Sequence, residues 1–256
     1  MLTIRPDQVE AFRQHHLQKF EDDMVEHLKK FAPNHWKVIG EQTGRQVIQL
    51  GIEEARKYGL TNRGPVRFYI EMMFMLGSYF DTDPQYPWVS EVLRDPQNMD
   101  QMVRADRLYE SMTKYWSDVA GPKNQHVFSA LRRLSQARAD DYVTAGVPLE
   151  DCFLAGLKSI YPQKCAYLGE RPLRTLLKKT FELASKYGFT SNQDVALVTA
   201  LTFFLGHGCM DDPLHSWIAR RLADKRLANP AERAAELQAK AMLYLKHTLE
   251  GSEEPV

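Results

Sequence analysis

The chain is poor in cysteine, has no net charge and contains no long apolar run. Cys152, Cys165 and Cys209 are its three cysteines, and their spacings fit no CxxC metal or redox pattern. Their odd number argues against a disulfide framework, so a reducing, cytoplasmic setting is expected. The 33 Lys and Arg residues balance the 33 Asp and Glu residues; no overall field recruits nucleic acid or another polyanion. No stretch approaches the roughly 18 consecutive apolar residues of a membrane span, and Met1-Leu2-Thr3-Ile4-Arg5-Pro6 lacks the regions of a secretory signal. Also missing are strand-like alternation, a Ser/Gly-rich linker and the GxSxG, HExxH, GxGxxG and phosphate-loop motifs. These absences predict no membrane insertion, no nucleic-acid partner, no cofactor and no familiar catalysis.

What the chain does have is a globular composition, 44% apolar and 26% charged, and a duplication. An offset of 129 residues aligns Phe20–Asp95 with Leu149–Asp224 without a gap, with 23 of 76 positions identical, far above the one in sixteen or so expected by chance. Lys57-Tyr58-Gly59 returns as Lys186-Tyr187-Gly188, Leu76-Gly77 as Leu205-Gly206, and Asp83-Pro84 with Trp88 as Asp212-Pro213 with Trp217.

The repeated blocks read as helix punctuation. Gly44, Val47, Ile48, Gly51, Ile52 and Ala55 form a helical stripe, repeated by Leu173, Leu176, Leu177, Thr180, Phe181 and Ala184. Gly59 and Gly188 end those helices, and Thr61 or Asn62 and Ser191 cap the next ones. Asp83-Pro84 and Asp212-Pro213 have the form of an N-cap followed by proline, so each predicts a short helix carrying its tryptophan. A long first helix is expected with Val9, Phe12, Leu17, Phe20, Met24, Leu28 and Phe31 on its apolar face, stopped near Pro33. An extra helix is expected over Gln125–Val143, and Gly251–Val256 reads as a frayed tail. The expected fold is all-α, with about ten to twelve helices, arranged as two tandem homologous modules, 1–121 and 122–256, packed as one pseudo-twofold body.

His207, Cys209, Asp211, Asp212 and His215 are metal-ligand residue types clustered in sequence. The first copy has Ser78, Phe80, Thr82, Asp83 and Tyr86 there, so the shared property is a helix start. The structural reading is therefore preferred, and a metal-dependent enzyme using His207, Cys209, Asp211 and His215 is the alternative. A calcium loop at Asp81 and Asp83 fails for want of the required glycine and glutamate. Glu21-Asp22 and Glu150-Asp151 are expected to pair with Lys29, Lys158, Arg45 or Arg174 rather than to perform acid–base work. Arg220, Arg221, Lys225 and Arg226 read as a solvated or partner-facing surface. Tyr79, Tyr86, Trp88, Tyr109, Tyr115, Trp116 and Trp217 are the candidates for contact with another protein, since Tyr, Trp and Met are enriched where proteins bind proteins.

Ile4-Arg5-Pro6-Asp7-Gln8, the helix beginning Phe20-Glu21-Asp22-Asp23-Met24, and Leu76-Gly77-Ser78-Tyr79-Phe80-Asp81-Thr82-Asp83-Pro84 with Trp88 resemble bacterial proteins encoded beside type VI secretion spike, adaptor and effector genes. That resemblance implies a non-enzymatic accessory role as chaperone or co-adaptor of a secreted effector, with an immunity protein as the alternative. Its partner would be the effector toxin or its adaptor, and a homodimer is a further expectation. The second copy departs from the pattern at His207 to Met210.

Overall fold

The computed structural model describes residues 5–227 and 229–250. The expected tail at 251–256 and the first four residues lie outside them. The described residues form twelve α-helices and no strand. In chain order the helices are α1 (Pro6–Phe31), α2 (Pro33–Lys57), α3 (Arg63–Leu76), α4 (Pro87–Leu93), α5 (Gln101–Ala120), α6 (Gln125–Gln136), α7 (Leu149–Ile160), α8 (Pro162–Leu168), α9 (Glu170–Lys186), α10 (Asn192–Leu205), α11 (Ser216–Leu222) and α12 (Pro230–Glu250). The protein is all-α, and no described helix is long and apolar enough to cross a membrane.

Helix boundaries recur at the spacing of 129 residues seen in the sequence: α3 with α10, α4 with α11, and the ends of α1 and α7. Gly40 breaks α2 at φ 74° and ψ 168°, and Gly169, at φ 71° and ψ 178°, separates α8 from α9. A side chain at such positive φ would be strained. The ion pairs recur too. Arg45 bridges Asp22 and Glu41, and Arg174 bridges Glu150, Asp151 and Glu170. Asp22, Glu150 and Asp151 of the recurring carboxylate pairs are thus helix-surface partners of arginine, while Glu21 accepts from Gln49 Nε2.

α1 ends at Phe31, near Pro33 as expected, and Pro33 opens α2. Other local expectations are corrected. Val9 and Phe12 do not join the core, because the first turns of α1 have nothing packed over them. Asn62 makes no side-chain cap; the side-chain Oε1 of Gln101 instead accepts from the Thr61 and Asn62 amides at 2.7 and 2.8 Å. Ser191 does cap α10, its Oγ accepting from the Asp194 amide. The expected helix over Gln125–Val143 ends at Gln136, followed by a 3-10 turn at Ala139–Asp141. The tryptophan helices start at Pro87 and Ser216, after the Asp-Pro pairs rather than on them.

One apolar core draws residues from both halves. Within it the halves fill matching places with complementary sizes. The Trp36 ring lies where a Gly44 side chain would stand, while the matching pair is Cys165 and Leu173. Gly51 leaves room for Ile70 and Met73; its counterpart Thr180 faces Thr202, their hydroxyls 2.9 Å apart. Close-packed interiors leave little room for a change of one partner alone. Gly44→Leu should therefore destabilise the protein by about 1–3 kcal/mol through overpacking. Adding Trp36→Cys, which copies the other half, should recover part of that loss. Urea unfolding of the single and double variants measures the coupling, and strict additivity would contradict the size exchange.

Candidate functional site

The apolar helices α3 and α10 end at Gly77 and Gly206, whose φ and ψ are 96° and 152°, and 97° and 151°. The two glycines approach back to back. A Cβ on Gly77 would lie 2.8 Å from the Leu205 carbonyl oxygen, and one on Gly206 would lie 3.1 Å from that of Leu76. The chain leaves each helix through an amide inside the protein, and an unpaired buried N–H is costly.

Each of those amides is satisfied by a carboxylate of the opposite half. Asp212 Oδ2 accepts from the Ser78 amide at 2.7 Å, and Asp212 Oδ1 accepts from Ser78 Oγ at 2.6 Å. Asp83 Oδ2 accepts from the His207 amide at 2.7 Å. Both carboxylates also bind their own loops, Asp212 at the Leu214 amide and Asp83 at the Gln85 amide. Gln85 Nε2 adds a bond to the Thr202 carbonyl oxygen across the seam. The Asp-Pro pairs that read as local helix caps thus fasten one half to the other.

The seam is not identical on its two sides. His207 Nδ1 lies 3.3 Å from Asp83 Oδ2, where the other side has only the Ser78 hydroxyl. Burial raises the Asp83 pKa, but the His207 side chain and the amides of Gln85 and His207 outweigh it, leaving the group below its ordinary value. Burial dominates at Asp212 and holds it above its ordinary value, against the lowering bonds from Ser78 and Leu214. The Tyr79 ring occupies the space against Gly208, leaving none for a side chain there. Positions 79 and 208 match at the repeat offset, so only one of them can carry a ring.

The suggested metal ligands do not converge. Cys209 is buried, with its thiol pKa pushed far up by desolvation; Asp211 is exposed; His215 packs among His35 and Tyr244. Among the described residues no three or more His, Cys, Asp or Glu side chains could together hold a metal ion. Asp81 of the rejected calcium loop accepts from the Tyr58 hydroxyl at 2.7 Å.

The aromatic candidates are also mostly committed within the fold. Tyr86 and Tyr115 are buried edge to face at 5.4 Å, which corrects their assignment as partner-binding residues. Trp88 and Trp217 are half-buried beside Tyr115 and Tyr244. Trp116 Nε1 donates to Asn124 Oδ1, Tyr79 is half-buried, and Tyr109 is 62% exposed. Reading the sequence missed Ser78, Gln85 and Lys164, whose buried ammonium donates to the Phe203 carbonyl oxygen at 2.6 Å. Arg104 was missed as well. It donates to the Tyr58, Leu93 and Met99 carbonyl oxygens, and Arg233 reaches that of Tyr187. These pairs obey the same offset beyond Asp95, and that was their available signal. No family model, curated protein or solved structure matches the chain.

Asp83→Asn should destabilise the protein by about 2–4 kcal/mol, because it removes a charge the fold favours while leaving its buried donors in place. Asp212→Asn should cost less, because the fold disfavours charge there. Guanidinium unfolding at neutral pH ranks the two variants, and the reverse order would contradict the asymmetry.

Burial, with His35 acting in the same direction, pushes the His215 pKa down to about 3. Burial also lowers His35. Both rings stay neutral in the fold, whereas the unfolded chain takes up protons near pH 6.5. Their contribution to stability is present above that pH. Between about pH 6.5 and 3 it declines on acidification, by about 1.4 kcal/mol per pH unit for His215 alone. Asp212 acts in the opposite sense. Unfolding midpoints should fall from about pH 7.5 to about pH 5, and His215→Phe should flatten the decline; an unchanged wild-type midpoint would contradict it.

Proposed function

We propose that the protein is a non-enzymatic, cytoplasmic accessory protein that binds another protein, in line with its resemblance to bacterial proteins encoded beside type VI secretion genes, which implies a chaperone or co-adaptor role. The observation that carries the binding reading is the first half of α1. From Pro6 to His16 every residue is exposed, about 16 Å of helix standing clear of the core. It carries Val9 at 53% and Phe12 at 62% exposure. Beside it runs a cleft of about 570 Å³ with apolar Leu17, Phe20 and Ile52 and charged Glu10, Arg13, Arg56 and Arg63 along it, Arg13 and Arg63 being paired with Glu10 and Asp23. The apolar face of an amphipathic segment would pair with both features.

The scaffold fits this role as two modules, 1–121 and 122–256, related by a pseudo-twofold axis between Gly77 and Gly206. The reciprocal carboxylate bonds and recurring helix boundaries support that reading. The effector and secretion-system assignment rests on the sequence resemblance alone. No particular observation favours the immunity alternative, and the scattered His207, Cys209, Asp211 and His215 give the metal-enzyme alternative no site.

Affinity capture from a host carrying the neighbouring effector genes should enrich one effector or its adaptor. Val9→Glu with Phe12→Glu should reduce capture at least tenfold without lowering thermal stability, because those side chains touch no core. Recovery of the chain by itself, or capture unaffected by the double substitution, would overturn the reading.

A further inference from the structure

The second half forms a half-open cavity of about 420 Å³ between α6, α7, α10 and α12. Its walls are apolar. Phe153, Leu157, Leu197, Leu201 and Phe204 come from α7 and α10, with Val127, Leu131 and Leu134 from α6 facing them. The α6 residues are only half-buried although the helix presents them on one apolar face, as expected of a wall lining unfilled space.

The origin of the cavity is visible in the repeat. At the matching place in the first half, His27 Nε2 lies 2.6 Å from Glu71 Oε1, and Arg67 Nε donates to the same oxygen at 2.8 Å. At the repeat offset these three side chains become Gly156, Ala196 and Ala200, and Met112 becomes Ala241. Elsewhere in the core a smaller residue in one half is met by a larger neighbour, as with Gly44 and Trp36. Here Tyr142 covers Gly156, but the space beside Ala196, Ala200 and Ala241 stays open.

We propose that this cavity is a binding site for one small, uncharged apolar molecule bearing a hydrogen-bonding head group. Its volume falls within the range typical of small-molecule sites, about 300–1,000 Å³. A partner helix, about 10–12 Å across, would need roughly that whole volume for each turn. The rim carries Arg138 and Asp140 of opposite sign, with the amides of Gln193 and Gln238. It offers donors and acceptors in balance rather than a site for net charge. Apolar burial supplies the affinity, and the rim orients the head. The site is separate from the α1 surface, so either assignment can fail without the other.

Titration with the neutral fluorophore N-phenyl-1-naphthylamine should show saturable one-to-one binding, reversed by decanol more effectively than by decanoate. Ala196→Leu with Ala200→Leu fills the cavity with good helix formers. It should weaken probe binding at least tenfold while leaving the thermal midpoint unchanged or raised. A second variant, Ala241→Met, restores the first-half residue from the opposite wall and should also weaken binding. Absence of saturable binding by the wild type, or undiminished binding by both filled variants, would overturn the site. More effective reversal by decanoate would overturn the uncharged ligand class.

Discussion

Two buried carboxylates exchanged between the halves set the constraint on which the rest of the structure depends. Helices α3 and α10 end inside the protein at Gly77 and Gly206, and the amides that follow them need partners there. Asp212 and Asp83 answer that need from across the seam, at Ser78 and His207. The glycines are part of the same solution, since the approach of Gly77 to the Leu205 carbonyl oxygen leaves no room for a side chain. Separating the halves would expose four partners together, which makes the seam an obligatory contact rather than a docking surface.

A duplicated sequence meeting its copy cannot repeat every side chain, because residues that face each other compete for one space. Across the seam the Tyr79 ring lies against Gly208; within the first half Trp36 lies against Gly44, and Ile70 and Met73 against Gly51, exchanges of size that the second half does not repeat. Charge divides in the same way: His207 steadies Asp83, while Asp212 bears the burial penalty with a hydroxyl for company. The scaffold is thus held in common while its filling has diverged. The second-half cavity is where divergence removed bulk without a matching gain, and the exposed start of α1 is where one half carries a helix that the other lacks.

Much of the fold was legible because helical stripes and glycine or proline punctuation act over short stretches. The Gly59 and Gly188 ends and the α9 stripe emerged where periodicity placed them. The seam was not, because an aspartate before proline forms a local cap in most settings, and its actual acceptor role spans 134 residues for Ser78 and Asp212. In the ligand-like run from His207 to His215, nearness in sequence does not become nearness in space. Neighbours along a turn point in different directions, so Asp211 faces water while His215 lies inside. Tyr86 and Tyr115 were misread as surface because composition does not reveal that two rings pack against each other. The cavity was written in the sequence as Gly156, Ala196 and Ala200 opposite His27, Arg67 and Glu71, but only contact geometry says that these positions share one space.

Hydrogen exchange at the Ser78 and His207 amides tests the central claim most directly. Both amides follow a helix end in a turn, where exchange is ordinarily fast. If the exchanged carboxylates hold the halves as one unit, the two should exchange slowly, with a common opening free energy that rises in step with global stability as denaturant is removed. Fast exchange at both, or protection of one while the other opens independently, would contradict the account.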